Sequence, residues 1–289
     1  MFQIQKLIQG LAFLISISTI ICAFTNTVVP DPTGRKANFA AAETVVQHQL
    51  GGRNISFKVV QYGSSTTTCC INVHDNEATA VQAAKAILEQ QGGTLIKIEN
   101  NAQRYISFSF KGVQYSFDPN RIFSSVGIKQ TLKANGKINP LAITEVEKFA
   151  AHLLLLIPDS AACIIALHNN TDGDYSVKTY QPGGKRQFDA MKVYTDTWQD
   201  VDDIALTTDE TLFNKMSGFG YNSILQDNIR VNKDGSLSVY YGELNRRYIN
   251  IETQFGKTEQ YKQMLAKLVF YLEEEKNPEH VSMIDADGD

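Results

Sequence analysis

Two of the five histidines, His74 and His168, stand where strand-like apolar runs end, and an acid, Glu77, follows the first by three residues. Neutral imidazoles and a carboxylate are ligand types that a zinc ion takes, and a set of three leaves the fourth tetrahedral position to water, as catalytic sites do. His48, His152 and His280 fall in a lead-in, a helix and a tail. Alone, a His-x-x-Glu pair is equally a surface histidine near an acid at a helix start. Two further segments carry chemistry. Residues 117–123 read Phe-Asp-Pro-Asn-Arg-Ile-Phe, with Asn120 and Arg121 leaving a strand; a guanidinium offers a planar fork to a carboxylate, and an amide beside it fixes orientation. A turn with a surface arginine is the alternative. Residues 248–253 read Tyr-Ile-Asn-Ile-Glu-Thr. Glu252 is the single acid there, costly to bury without a partner or a task, unless alternation on an edge strand turns it to water.

These residues need elements to bring them together. Residues 57–62, 68–73 and 94–98 read as strands, and 105–110 with 114–117 as a hairpin turning at Lys111-Gly112. From Glu77 an apolar stripe of Ala80, Val81, Ala84, Ile87 and Leu88 predicts a helix ended by Gly92 and Gly93. Thr144 and Glu147 form a capping-box pattern opening a helix to about residue 156, with Pro158 beyond it. The apolar run 161–167 predicts a strand covered on both faces, delivering His168 at the edge where open α/β sheets place ligands. Residues 229–231 and 236–241 read as a hairpin through Lys233-Asp234-Gly235, 248–253 as a late strand and 258–274 as a last helix. The fold class expected is α/β, with a mixed central sheet flanked by helices. Residues 174–207 show little periodicity, and long segments of that kind often shape binding sites.

Residues 1–24 have the layout of a secretory signal, Lys6 followed by an apolar run from Leu11 to Phe24, with an uncleaved single-span anchor as the alternative. Cys22 has poor small-residue neighbours for lipidation. Residues 25–42 read as an irregular lead-in, 43–276 as one catalytic domain and 277–289 as a disordered tail. Export permits disulfides, but Cys69, Cys70 and Cys163 are odd in number and lie in apolar runs, where a free thiol acts as a small hydrophobe. The net charge of -4, without a basic cluster, excludes a phosphate-backbone partner. The sequon Asn169-Asn170-Thr171 beside His168 would place a glycan over the site, which favours a bacterial periplasm over a eukaryotic secretory route.

In this order the four motifs resemble the zinc carboxypeptidase superfamily over residues 57–270, and Asp118-Pro119-Asn120-Arg121-Ile122-Phe123 looks most like its succinylglutamate desuccinylase and aspartoacylase branch, with Pro119 where that branch tends to have leucine. The resemblance implies zinc on His74, Glu77 and His168, a substrate carboxylate on Asn120 and Arg121, Glu252 as catalytic acid and base, and Arg104 steadying the oxyanion. Of Tyr221, Tyr240 and Tyr241, none is singled out as a lid. The implied substrate is a small peptide or an N-acyl amino acid; a non-catalytic binding protein on the same fold is the remaining reading. Oligomeric state is not legible.

Overall fold

The computed structural model describes residues 38–171 and 175–276. The expected signal segment, most of the lead-in and the tail beyond Lys276 lie outside them. Nine strands form one mixed sheet: β1 (Ala41–Leu50), β2 (Arg53–Tyr62), β3 (Thr68–Asn72), β4 (Gly93–Glu99), β7 (Cys163–Asn170), β8 (Ala190–Tyr194), β9 (Ile204–Thr207), β10 (Asn222–Gln226) and β11 (Tyr248–Gln254). A separate two-stranded hairpin is built from β5 (Ile106–Phe110) and β6 (Val113–Phe117). Helices are α1 (Ala78–Gln91), α2 (Ser125–Ala134), α3 (Pro140–Leu155), α4 (Glu210–Gly218), α5 (Leu237–Glu243) and α6 (Thr258–Lys276).

The spatial order of the large sheet is β1-β2-β4-β3-β7-β11-β9-β10-β8. Its centre, β4-β3-β7-β11, is parallel. Parallel strands need covered faces, and the residues of β3 and β7 split accordingly. Cys69, Ile71, Ile164 and Ala166 join one core with α2, α3 and α5, while Cys70, Ile165 and Leu167 join another with α1, α4 and α6. Cys69, Cys70 and Cys163 are free and buried. After β3 the chain crosses one face through α1 to β4; from β4 it returns over the other face through α2 and α3 to β7. The winding therefore reverses between β3 and β7, and a crevice opens at their carboxyl ends. No helix among the described residues is long and apolar enough to cross a membrane.

Several expectations are corrected. A strand begins at Ala41, inside the span read as irregular, and carries His48. It was illegible because nearly all of β1 is solvent-facing and shows no apolar run. The β5–β6 hairpin turns at Lys111-Gly112 as expected but stands apart from the main sheet. The Thr144–Glu147 pattern is not a cap: α3 starts a turn earlier, at Pro140, where Asn139 Oδ1 accepts from Leu141 N at 2.8 Å. Thr144 Oγ1 instead donates to the Pro140 carbonyl at 3.2 Å. Residues 229–241 form no hairpin; 236–241 lead into α5, which buries Leu237 and Tyr241, four apart, in the core. The strand-like alternation of Leu237, Val239 and Tyr241 yields because Asn120 Oδ1, remote in sequence, accepts from Leu237 N at 3.0 Å and satisfies an N–H at the helix start.

His48 faces His152 of α3, Nδ1 to Nδ1 at 2.9 Å, with the Phe57 and Phe149 rings beside it. Burial, reinforced by the neighbouring His152, holds the His48 imidazole down to about 4. Unfolded, it takes up a proton near pH 6.5, so the stability contributed by the neutral pair is present at neutral pH and lost as pH falls from about 6.5 towards 4. The melting temperature of the wild type should therefore fall more steeply between about pH 7.5 and pH 5 than that of His48→Phe; equal slopes would contradict this.

Candidate metal centre

His74 follows β3 by two residues and Glu77 caps α1, so the change from strand to helix turns both inward at one point. Glu77 N donates to the His74 carbonyl at 3.1 Å, which tightens that turn. His168 arrives from β7, across the winding reversal, two residues before the strand ends. Its backbone N–H donates to the Tyr261 hydroxyl of α6 at 3.2 Å, and that hydroxyl donates to the Ile251 carbonyl at 2.7 Å. In this way β7 and β11 are fixed to α6 at the level of the site.

The three side chains converge. His74 Nδ1 lies 2.9 Å from Glu77 Oε1 and 3.3 Å from His168 Nδ1, and His168 Nδ1 lies 2.8 Å from Glu77 Oε2. All three residues are buried. On the far side of the ring, His74 Nε2 meets Asp118 Oδ1 at 2.7 Å. Asp118 is itself held by Asn120 N, donating at 2.8 Å, while its backbone N–H donates to Thr131 Oγ1 at 2.8 Å. Arg104 bridges the two acids, with Nη1 at 2.9 Å from Glu77 Oε1 and Nη2 at 3.5 Å from Asp118 Oδ2.

This donor set fits a zinc ion. Asp118 accepts from Nε2–H, which fixes the ring proton there and leaves the Nδ1 lone pair of His74 aimed at the Glu77 oxygens, an arrangement that needs a cation or a proton between them. Two ligands about 2.0–2.1 Å from a tetrahedral ion stand roughly 3.3 Å apart, close to the separations seen. His74, Glu77 and His168 are the one such group of three among the described residues. The electrostatics agree. Burial opposes a charge on His74, but the Glu77 charge and the hydrogen bonds of Asp118 and Glu77 outweigh it and raise its pKa. Burial would raise the Glu77 carboxyl; the charges and hydrogen bonds of His168 and His74 bring it down to about 2. The pocket thus draws positive charge into itself.

Around this point opens a cleft of about 520 Å³. Every residue singled out in the sequence lines it: His74, Glu77, Arg104, Asn120, Arg121, His168 and Glu252. Glu252 is paired in register with His168 on the adjacent parallel strand, so both side chains leave the same face. Burial, opposed by the charge of His168 and reinforced by that of Glu77, pushes the Glu252 carboxyl up to about 7. Asn120 lies in the turn after β6, its Nδ2 at 3.5 Å from His168 Nε2. Arg121 Nη1 donates to the Asn120 carbonyl at 2.6 Å, and its Nε stands 3.6 Å from Asp234 Oδ2. That turn is clamped by two glycines: a Cβ at Gly127 would fall 2.5 Å from both the Arg121 carbonyl oxygen and Gly235 Cα.

Other residues of the site carry no clear signal in the sequence. Asp118 meets His74 rather than the cleft, and an acid beside the candidate Asn120-Arg121 pair is the one signal of it. Tyr175, Tyr180, Arg186 and Asp189 come from the aperiodic stretch and form one wall. The two tyrosine hydroxyls meet at 2.5 Å, and Arg186 Nη1 lies 3.4 Å from Asp189 Oδ2 and 3.7 Å from Asp234 Oδ2. Only the length of that stretch pointed to a wall. Tyr221, Tyr240 and Tyr241 do not line the cleft, whereas Tyr248 does. Asn169 and Asn170, in the sequon, do line it.

No family model and no curated protein matches the chain. Among solved structures, the chain is similar to an aspartoacylase family protein from Mesorhizobium loti, with 12% identity, a TM-score of 0.42, and coverage of 83% of this chain and 69% of that one. A succinylglutamate desuccinylase/aspartoacylase from Rhodobacter sphaeroides gives 10% identity and a TM-score of 0.42; 80% of this chain spans 65% of that protein, just under two thirds. Thrombin activatable fibrinolysis inhibitor gives 11% identity, a TM-score of 0.45, and coverage of 83% and 71%. At these identities and scores the likeness bears on no residue's role.

Purified protein should carry about one equivalent of zinc. His74→Ala and His168→Ala should lose it, and Asp118→Asn should weaken affinity about 10- to 100-fold by removing the partner that orients His74. Full zinc content in both alanine variants, by elemental analysis, would refute the assignment.

Proposed function

We propose that this chain is an exported zinc-dependent hydrolase that cleaves an amide bond next to a free carboxylate, acting as a carboxypeptidase on peptides or cell-wall stem peptides. The observation that carries the reading is the meeting of His74 Nδ1, His168 Nδ1 and Glu77 within 3.3 Å, with Glu252 in register beside His168. Export is inferred from Lys6 and the apolar run after it.

His74, Glu77 and His168 would hold the ion, and zinc bound there would supply Lewis acidity and make water acidic enough to ionise near neutral pH. The other residues do the rest. A carboxyl whose pKa lies near 7 is suited to both halves of a proton transfer. Glu252 accepts the proton of the attacking water and returns it to the leaving nitrogen. Arg121 and Asn120 grip the substrate carboxylate and set the scissile carbonyl at one distance from Glu252, which removes orientational freedom before the reaction begins. Arg104 donates to the carbonyl oxygen as negative charge develops there. Asp118 keeps His74 in the tautomer whose Nδ1 faces inward.

The second reading is an N-acyl amino acid deacylase, in which Tyr175, Tyr180 and Arg186 of the cleft would face the acyl group. Both readings use the same residues and differ in what lies on the acyl side of the bond.

Glu252→Gln should lower kcat by about 10²- to 10⁴-fold while zinc stays bound; full activity would refute its role. On a panel of C-terminally free peptides, their amides and N-acyl amino acids, Arg121→Ala should abolish the preference for free carboxylates. Equal turnover of free and amidated peptides by the wild type would exclude the carboxypeptidase reading.

A further inference from the structure

Strand β11 lines the cleft with Tyr248, Asn250 and Glu252, of which only Glu252 has a role in the proposed reaction. Asn250 stands two residues before Glu252 and hence on the same face. It is 8% exposed, lines the cleft, and stands between Ala166 of β7 and Leu206 of β9. Its Nδ2 donates to Glu252 Oε2 at 3.2 Å. Its Oδ1 is buried and has no hydrogen-bond partner among the described residues. Burying half an amide unsatisfied costs stability that leucine, branched in the same way, would not. Tyr248, Ile249 and Ile251 show what the strand otherwise selects. Asn250 is therefore kept against packing, and among the described residues Glu252 is the one side chain to which it bonds.

We propose that Asn250 is the positioning residue for Glu252, holding that carboxyl in both of its protonation states. A carboxamide carries a donor and an acceptor at nearly interchangeable positions. With Nδ2 toward Glu252 it supports the carboxylate. After a half turn about its last side-chain torsion, Oδ1 occupies the same place and accepts from the carboxylic acid. That torsion is broad, and the two orientations have the same shape. Ala166, opposite Asn250 in register, is small. A group that accepts a proton and then returns it passes through both states in each cycle, and a partner limited to donating would hold it in one of them. The inference rests on the reading of Glu252 as acid and base given above.

The test compares Asn250→Leu, Asn250→Val and Glu252→Gln with the wild type on the best substrate of the panel, by kcat, KM, zinc content, melting temperature and the pH profile of kcat/KM. Both Asn250 variants should keep their zinc and melt no lower than the wild type, since a buried unsatisfied group is removed. KM should stay within about threefold while kcat falls about 10- to 100-fold, as misplacement of a reacting group does. The acid limb of the profile should move to higher pH, because the donor to the carboxylate is gone. Unchanged kcat and pH profile in both variants, with Glu252→Gln inactive, would overturn the role of Asn250 and leave the function standing. Loss of zinc or a lower melting temperature in both would overturn it too, by making Asn250 structural. An active Glu252→Gln would remove the functional reading and this inference together.

Discussion

Three electron-rich groups forced into one buried point are the constraint on which the site depends. His74 Nδ1, His168 Nδ1 and the Glu77 carboxylate stand 2.8 to 3.3 Å apart with little access to water. Left without positive charge among them, such acceptors repel in a medium where charges are weakly screened. The surroundings relieve this only in part: Asp118 adds a further negative charge behind His74, and Arg104, paired with both acids, supplies one positive charge. A small divalent cation is a form of positive charge that all three groups could share at once.

The fold supplies the point through the reversal of its winding. Because α1 and the pair α2 and α3 lie on opposite faces, the ends of β3 and β7 are not roofed by a crossover, and ligands collect there. Adding β11 in parallel on the far side of β7 brings Glu252 level with His168. The 117–123 run then crosses the crevice from the small hairpin. Its Asn120 is tied to α5, and its Arg121 is pressed against the Gly127–Gly235 contact. The proposed metal ligands, carboxylate grip and proton carrier therefore come from four separated segments, each fixed by backbone contacts to its neighbours.

Much of this was legible in the sequence, for identifiable reasons. Buried strands announce themselves by apolar runs, so β3, β7 and β11 and the residues at their ends could be placed, and with them His74, His168 and Glu252. The α1 stripe and its Gly92–Gly93 end were equally clear. What escaped depended on contacts distant along the chain. β1 is held by pairing with β2 rather than by apolar burial. α5 depends on Asn120 to satisfy its first N–H. Arg186 gains meaning only through Asp189 and Asp234. Asp118, although inside a recognised run, declares itself only when His74 is beside it.

The most direct test of the account is X-ray absorption at the zinc edge of the purified full chain. The expected spectrum shows a nitrogen and oxygen shell at about 2.0–2.1 Å containing two imidazoles. A sulfur shell at about 2.3 Å, the signature of thiolate ligands such as Cys69 or Cys163, or a shell without imidazole scattering, would contradict it.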